Sequence, residues 1–300
     1  MASRVHGFAI VTALCALGQI VIGALVTSKE AGLSIPDWPL NYGRLVPQLE
    51  GGIVYEYAHR LMALLVGTLT TVLAVWLWRA DQRAWVRPLG FLALGGVLLQ
   101  ITLGGMAVLM LLPAPVSSLH AALAQILFAA LCVVAQLTGS GWHIPAKQEL
   151  DGGVVRLRVL ASGLPAVVLI QILLGAAARH KALGYVWHIA AGSVVGAMIL
   201  WATVRILLRH ANHPTLRRGS VMLMSLLFAQ IFLGIAAYMS RLATADAIQP
   251  QPVMVMFTAL HVATGALVFA STTTLAVEVQ RSISSRTSVS GAAFGWAPAK

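Results

Sequence analysis

The sequence predicts an all-α integral membrane protein in which eight transmembrane helices form two pseudo-symmetric four-helix bundles and both termini are cytoplasmic. Hydrophobic residues make up 59% of the 300-residue chain and charged residues only 10%, which excludes a soluble domain. Apolar runs of transmembrane length recur along the chain, whereas a membrane β-barrel would show short alternating segments. One motif that is followed by a histidine also occurs four times, which indicates an internal repeat.

Eight apolar runs have the length of a transmembrane helix. The first run is too long for the core of a secretory signal, and no cleavage site of small residues follows it, so we expect it to be retained. Cys15 and Cys132 lie inside predicted helices and are interpreted as packing residues. The runs cover residues 8–28, 53–78, 88–112, 116–138, 157–178, 184–208, 219–240 and 254–279.

Basic residues are distributed unequally between the two sides of the predicted protein. The net charge is +11, but these residues sit in short loops between apolar runs, so we expect a lipid bilayer and no nucleic acid as partner. The five on one side are Lys29, Arg44, Arg179, Lys181 and Arg241. The fourteen on the other side, which the positive-inside rule places in the cytoplasm, are Arg4, Arg79, Arg83, Arg87, Lys147, Arg156, Arg158, Arg205, Arg209, Arg217, Arg218, Arg281, Arg286 and Lys300.

A Gln-x-x-x-Gly motif occurs once in each odd-numbered predicted helix, and the next helix carries a histidine. Four copies of one helical hairpin explain this pattern. We therefore predict an N-terminal bundle at 1–140, a cytoplasmic linker at 141–156, a C-terminal bundle at 157–280 and a cytoplasmic tail at 281–300. The motifs are Gln19/Gly23, Gln100/Gly104, Gln171/Gly175 and Gln230/Gly234, and the histidines that follow them are His59, His120, His188 and His261.

The four repeated histidines are predicted to lie at one depth on the external side, which indicates ligands. A single intramembrane histidine is often only bonded to a carbonyl, and a zinc site needs three or four ligands close together. Two histidines per bundle suit the axial positions of a haem, so we expect one haem between His59 and His120 and another between His188 and His261.

Small residues, which would leave room for a macrocycle, follow each histidine one turn later, at Ala63, Ala124, Gly192 and Gly265. The motif glycines allow either approach of a ring or ordinary helix packing. We interpret the remaining histidines, His6, His143, His180, His210 and His213, as solvated.

Only the N-terminal half has an acid beside its histidine, because Glu56 lies one turn before His59. A structural explanation is an ion pair with Arg60, and Arg60 is also a candidate ligand of a haem propionate. The corresponding positions in the other repeats are Ser117, Tyr185 and Thr258.

The first external connection, residues 29–52, contains Pro36-Asp37-Trp38-Pro39. A loop of this length with two prolines is more often functional than a simple connector. The alternative is an interfacial loop whose Trp38 lies at the level of the lipid headgroups.

Two motifs of the chain together resemble the haem A synthase family. They are Gly32-Leu33-Ser34-x-Pro36-Asp37-Trp38-Pro39 and Glu56-x-x-His59-Arg60, accompanied by the three later histidines. The resemblance covers essentially the whole chain. Members are eight-helix membrane oxidases that convert haem O to haem A for terminal oxidases by oxidising one ring methyl to a formyl group.

The resemblance implies that His188 and His261 hold a permanent haem b. It makes His59 and His120 the pair that flanks the substrate haem O, with Glu56 as the essential acid. It also implies a cell (inner) membrane location with haem sites towards the extracytoplasmic side, and haem O synthase and terminal oxidase assembly factors as partners. The chain departs from many relatives in its first external loop, where Ile35 and Asn41 stand near the positions of a cysteine pair.

Two other functions fit parts of the pattern. A two-haem b-type electron-transfer protein would use the same ligands, but a transmembrane relay needs haems staggered across the bilayer, and here all four histidines lie near one face. A non-enzymatic haem carrier would leave Glu56 and the Asp37-Trp38 loop without a role. The sequence therefore favours the membrane oxidoreductase.

Overall fold

The computed structural model describes residues 2–146, 148–151 and 156–284. The predicted cytoplasmic residues Lys147, Arg286 and Lys300, and the tail from residue 285, lie outside this part of the chain. Its long helices are α1 Ala2–Ser28, α2 Gly52–Ala80, α3 Arg87–Leu109, α4 Ala114–Thr138, α5 Leu157–Arg179, α6 Tyr185–Arg209, α7 Pro214–Ala243 and α8 Pro252–Ser282. All eight are long and apolar enough to cross a membrane. The protein is therefore a multi-pass membrane protein, and the predicted all-α class with eight membrane-spanning helices is confirmed.

The helices agree with the predicted spans except near their ends. α7 begins at Pro214 and α8 ends at Ser282, beyond their apolar runs, because an apolar run marks only the hydrocarbon region and a helix can continue through the headgroups. Pro214 suits the first turn of a helix, where its missing N–H leaves no bond unmade. α3 instead ends early, at Leu109, because Leu111 and Leu112 both adopt φ of 59° ahead of Pro113.

Within each half of the chain, neighbouring helices pack in a ring. α1 contacts α2 and α4, α3 closes the first ring between them, and α5 to α8 contact one another in the same order. α8 also packs on α1 and α4, and α5 packs on α4, so one hydrophobic core runs through both halves. The division into two domains and the cytoplasmic position of the termini stay predictions.

The connections α1–α2, α3–α4, α5–α6 and α7–α8 emerge on one side, because each helix crosses once. We call this the histidine side, since each repeated histidine lies within the first ten residues of the helix that follows. The opposite side, which carries the connection between α4 and α5, is called the linker side.

The linker side contains more order than predicted. A short parallel pairing joins β1 Glu149–Leu150 to β2 Ile283–Ser284. The carboxylate of Asp151 lies 2.6 Å from Nη2 of Arg205. The interpretation of His210 as solvated is wrong, because it is only 4% exposed and its Nδ1 lies 2.7 Å from Glu149 Oε2. The linker folds back over the end of α6 and covers the imidazole.

Candidate functional site

The four repeated histidines meet in two pairs. The ring centres of His59 and His120 are 6.4 Å apart, with an angle of 69° between their planes. Those of His188 and His261 are 6.2 Å apart at 90°. α2 and α4 supply the first pair and α6 and α8 the second. The two halves therefore present nearly the same arrangement.

The glycines of the repeated motif make room for the imidazole rings. Every one of them faces the histidine of the next helix, so the group that approaches the glycine here is an imidazole. A side chain at these positions would displace the ring. A Cβ built on the glycine would lie from histidine Cε1 at 2.9 Å for Gly23 and His59, 3.1 Å for Gly104 and His120, 2.8 Å for Gly175 and His188, and 2.9 Å for Gly234 and His261.

The glutamines of the motif lie against the same histidines, a role that the sequence signalled only through the repeat. Nε2 of Gln19 and of Gln100 each lie 3.3 Å from histidine Nε2, of His59 and His120 respectively. Gln100 and Gln171 also donate from Nε2 to the backbone oxygen of their histidine, at 3.0 and 2.8 Å. His188 differs in that its Nδ1 lies 3.1 Å from the backbone oxygen of Gln171.

Several buried polar atoms of these groups have no hydrogen-bond partner, which is costly in a protein interior. They are Oε1 of Gln19, Gln100, Gln171 and Gln230, and Nδ1 of His59, His120 and His261. A site with so many unused polar atoms is suited to a bound polar or metal-containing group.

The donor set fits a haem better than a bare metal ion. In the part of the chain that the structure describes, no group of three or more His, Cys, Asp or Glu side chains could hold a metal. An imidazole nitrogen lies about 2.0–2.1 Å from its metal and the ring centre about 1.1 Å further back, so two imidazoles on opposite sides of one metal ion have ring centres about 6.2–6.4 Å apart. Both histidine pairs match this spacing.

The space one turn below the histidines differs between the halves. In the first half, Ala63 and Ala124 line a cavity together with Gln19 and Gln100. In the second half, Gly192 and Gly265 are in contact with the amides of Gln171 and Gln230, and a Cβ there would lie 2.8 and 3.1 Å from their Nε2 atoms. The amide is the flexible end of a glutamine side chain, so it can rotate away to make room for a bound macrocycle.

Glu56 and Arg60 form the ion pair that the sequence suggested. Glu56 is 3% exposed, and its Oε1 lies 2.6 Å from Arg60 Nη2. Its Oε2 accepts a hydrogen bond of 2.9 Å from the backbone N–H of Ile35. Arg60 also donates to the carbonyl oxygens of Ile35, Asp37 and Leu40 at 3.0, 2.9 and 2.7 Å. These contacts hold the α1–α2 connection against α2.

The α1–α2 connection is a folded cap on the first half. Asp37 accepts hydrogen bonds from the backbone N–H groups of Gly43 and Tyr42, and these bonds lower the pKa of its carboxyl. The indole of Trp38 lies over α3, where a Cβ on Gly105 would be 2.9 Å from Cδ2 and Cε2. Trp38 therefore packs against the helix that also borders His120, although 38% of its surface stays exposed.

The predicted site residues fall into two groups. Glu56, His59 and Arg60 lie together on α2, and His59 meets His120 in the first half. His188 and His261 form a second site, and the residues one turn before them, Tyr185 and Thr258, are not acidic. Fold and site thus define a multi-pass membrane protein with two intramembrane histidine pairs, and an acid lies one turn before a histidine only in the first pair.

Comparison with known proteins finds similarity to one family. Residues 6–54 and 49–132 match the COX15-CtaA family, described as cytochrome oxidase assembly protein. A haem A synthase of Bacillus licheniformis is 26% identical over 81% of this chain and 88% of its own length. That of Symbiobacterium thermophilum is 26% identical over 72% and 79%, and that of Geobacillus kaustophilus 31% over 58% and 55%. Most of the chain is thus similar to haem A synthases, and its residues 6–132 match the COX15-CtaA family model.

Proposed function

We propose that this protein is a haem A synthase, which oxidises a methyl group of haem O to a formyl group and so gives haem A for terminal oxidases. Similarity to the haem A synthases supports the reaction. The observation that carries the assignment of the site is the difference between the two histidine pairs. Both suit axial ligation of a haem, but only the first has a buried carboxylate, Glu56, one turn away on the same helix.

The two pairs have different proposed roles. His188 and His261 hold a permanent haem b, which supplies one-electron redox chemistry when bound. His59 and His120 flank haem O and orient the macrocycle. The Nδ1 atoms of both imidazoles are buried without a hydrogen bond, so no such bond fixes the orientation of either ring.

Glu56 is the proposed acid–base residue. Oxidation of a methyl group releases protons, and a carboxylate close to the ring can accept one or stabilise positive charge on the carbon. Arg60 and the N–H of Ile35 hold both carboxylate oxygens of Glu56 in place. The cap formed by the α1–α2 connection limits access of water. A propionate-binding role for Arg60 stays a prediction, since its guanidinium already contacts five groups of the protein.

The proposed location is the cell (inner) membrane, with both haem sites towards the extracytoplasmic side, since the histidine side carries fewer basic residues. Haem O synthase and assembly factors of terminal oxidases are proposed partners. Haem O and haem A are the substrate and the product.

Chromatography of extracted haems tests the function. We expect cells that coexpress the chain with a source of haem O to contain haem A, whereas an electron conduit or a haem carrier would leave haem O unchanged. The matched variant is Glu56→Gln, which keeps the size and removes the charge. It should retain the haem b spectrum and lose at least nine-tenths of the haem A, in line with the roughly 10²–10⁴-fold contribution of a positioned acid or base. A normal yield of haem A from Glu56→Gln would remove the catalytic role.

A further inference from the structure

Among the residues that the structure describes, two arginines on the histidine side of the second half have no acidic partner. Arg179 is the last residue of α5, and Arg241 lies in the last turn of α7. Nη2 of Arg179 donates to the carbonyl oxygen of Ala24 and to Oγ of Ser28, at 2.7 Å each. Neither arginine forms an ion pair with an Asp or Glu of the described ranges 2–146, 148–151 and 156–284. A cation at the end of a membrane span is costly without a counter-charge, which points to an anion.

Both arginines lie close to the His188–His261 pair. Arg179 follows Gly175, the residue against which the His188 ring packs, by one helical turn. The guanidinium of Arg241 lies 5.6 Å from the ring centre of Tyr185, which precedes His188 by one turn. Arg179 also interacts electrostatically with Tyr185 and with Arg241. The two cations are therefore neighbours of the second histidine pair.

The acid nearest to Arg241 in the sequence is Asp246 on the α7–α8 connection, and in the described ranges it forms no ion pair with either arginine. His180, next to Arg179, cannot offset a positive charge, because an imidazole is either neutral or cationic; burial and then the charge of Arg179 lower its pKa. Lys181 adds a further positive charge on the same connection. Basic residues therefore outnumber acidic ones around the two arginines.

The first half shows what is missing from the second. There, Glu56 lies one turn before His59 and pairs with Arg60 at 2.6 Å. In the second half, Tyr185 and Thr258 occupy the corresponding positions before His188 and His261, so neither histidine has a carboxylate one turn before it. Because the two halves are otherwise alike, a ligand that carries carboxylates would complete the second site.

We propose that Arg179 and Arg241 bind the carboxylates of the porphyrin held between His188 and His261. The inference rests on the proposed function, which puts a resident haem at that pair. Guanidinium–carboxylate bonds are charge-assisted and directional, so the two arginines would fix which edge of the macrocycle faces the histidine side. Arg179 would at the same time join that edge to α1 of the other half through Ala24 and Ser28.

The test compares haem b with its dimethyl ester, in which both carboxylates are blocked. The release of each from the purified protein into an excess of apomyoglobin is followed by absorbance. We expect the wild type to release the ester at least tenfold faster than the free acid, because charge-assisted bonds are lost. Arg179→Gln should release both at nearly the same rate. If Arg179→Gln does not fold, Arg241→Gln is measured in its place and should lose most of the difference.

Ser28→Ala is the matched control, because it removes a contact of Arg179 within the protein and leaves the charge; it should keep the tenfold difference. His59→Ala, in which the first pair is incomplete, should keep it too. Equal release of acid and ester by the wild type, or an unchanged difference in Arg179→Gln, would overturn the inference. A difference that disappears in His59→Ala would assign the arginines to the other macrocycle and also overturn it. None of these readings depends on haem A formation, so failure of the proposed function is seen separately.

Discussion

At the scale of single residues, the glycine of each repeat is as necessary to the site as the histidine. Gly23, Gly104, Gly175 and Gly234 all face an imidazole, and any Cβ would lie 2.8 to 3.1 Å from the ring. An aliphatic side chain at such a position would turn the ring away from its partner across the bundle. The motif is therefore a device for placing a histidine and not only for packing helices.

Gly175→Ala tests this role. The new Cβ would lie 2.8 Å from Cε1 of His188, so the ring has to move. We expect at least a fivefold loss of the low-spin haem signal per protein, measured by absorption spectroscopy after purification. Gly163→Ala on the same helix is the control, because no atom lies within 4 Å of a Cβ there and alanine favours helices by about 0.5–1 kcal/mol. Equal haem content in the two variants would show that the glycine only packs helices.

Glu56 is the residue that distinguishes the two sites, and its environment is built for a charge. Both carboxylate oxygens accept hydrogen bonds, one from Arg60 and one from the N–H of Ile35. A buried carboxylate without such partners would be expensive. The ion pair is therefore compatible with a catalytic role, since it fixes the position of the acid.

At the scale of elements, the connection between α1 and α2 is held by one side chain. Arg60 contacts both Ile35 and Asn41, which lie six residues apart in the connection. A guanidinium with several acceptors thus joins distant parts of the loop. The two prolines predicted a loop with a fixed conformation. They did not predict the bonds from Arg60 to the loop, because a sequence pattern does not show which carbonyl groups will accept from one guanidinium.

Hydrogen exchange of the segment 33–44 measures how far Arg60 holds the cap. Arg60→Gln removes charge-assisted bonds to the loop and leaves Glu56 without its counter-ion, and each bond to a charged group contributes about 1.5–3 kcal/mol. We expect the amides of this segment to exchange at least tenfold faster. Arg44→Gln, on the same loop but exposed, is the control and should change little. Unchanged exchange in Arg60→Gln would mean that packing of Trp38 alone holds the cap.

The helices themselves were predictable because long apolar runs leave a membrane protein few alternatives. The errors lie where other interactions decide. Leu111 and Leu112 leave the helix although both are apolar, and His210 is buried by a linker whose fold depends on Glu149 and Asp151. Such long-range polar contacts carry no periodic signal in the sequence.

At the scale of the whole molecule, one repeated helical hairpin forms two sites that differ in the charged residues around them. The histidine pairs have nearly equal spacing, 6.4 and 6.2 Å, so the sites have the same capacity for axial ligation. Their surroundings differ in charge: Glu56 with Arg60 in the first half, Arg179 and Arg241 without a described acid partner in the second. The repeat predicted the pairs, whereas the position of the two arginines needed the fold.

We propose that the second histidine pair keeps a haem, whereas the haem at the first pair is chemically changed. Haem content and haem type in four single variants test this most directly, with haems extracted and separated by chromatography after coexpression with a haem O source. We predict that His59→Ala and His120→Ala retain haem b and yield no haem A, whereas His188→Ala and His261→Ala lose haem b. Loss of haem b from the first two variants, or full haem A formation by any of the four, would contradict the assignment of the two pairs.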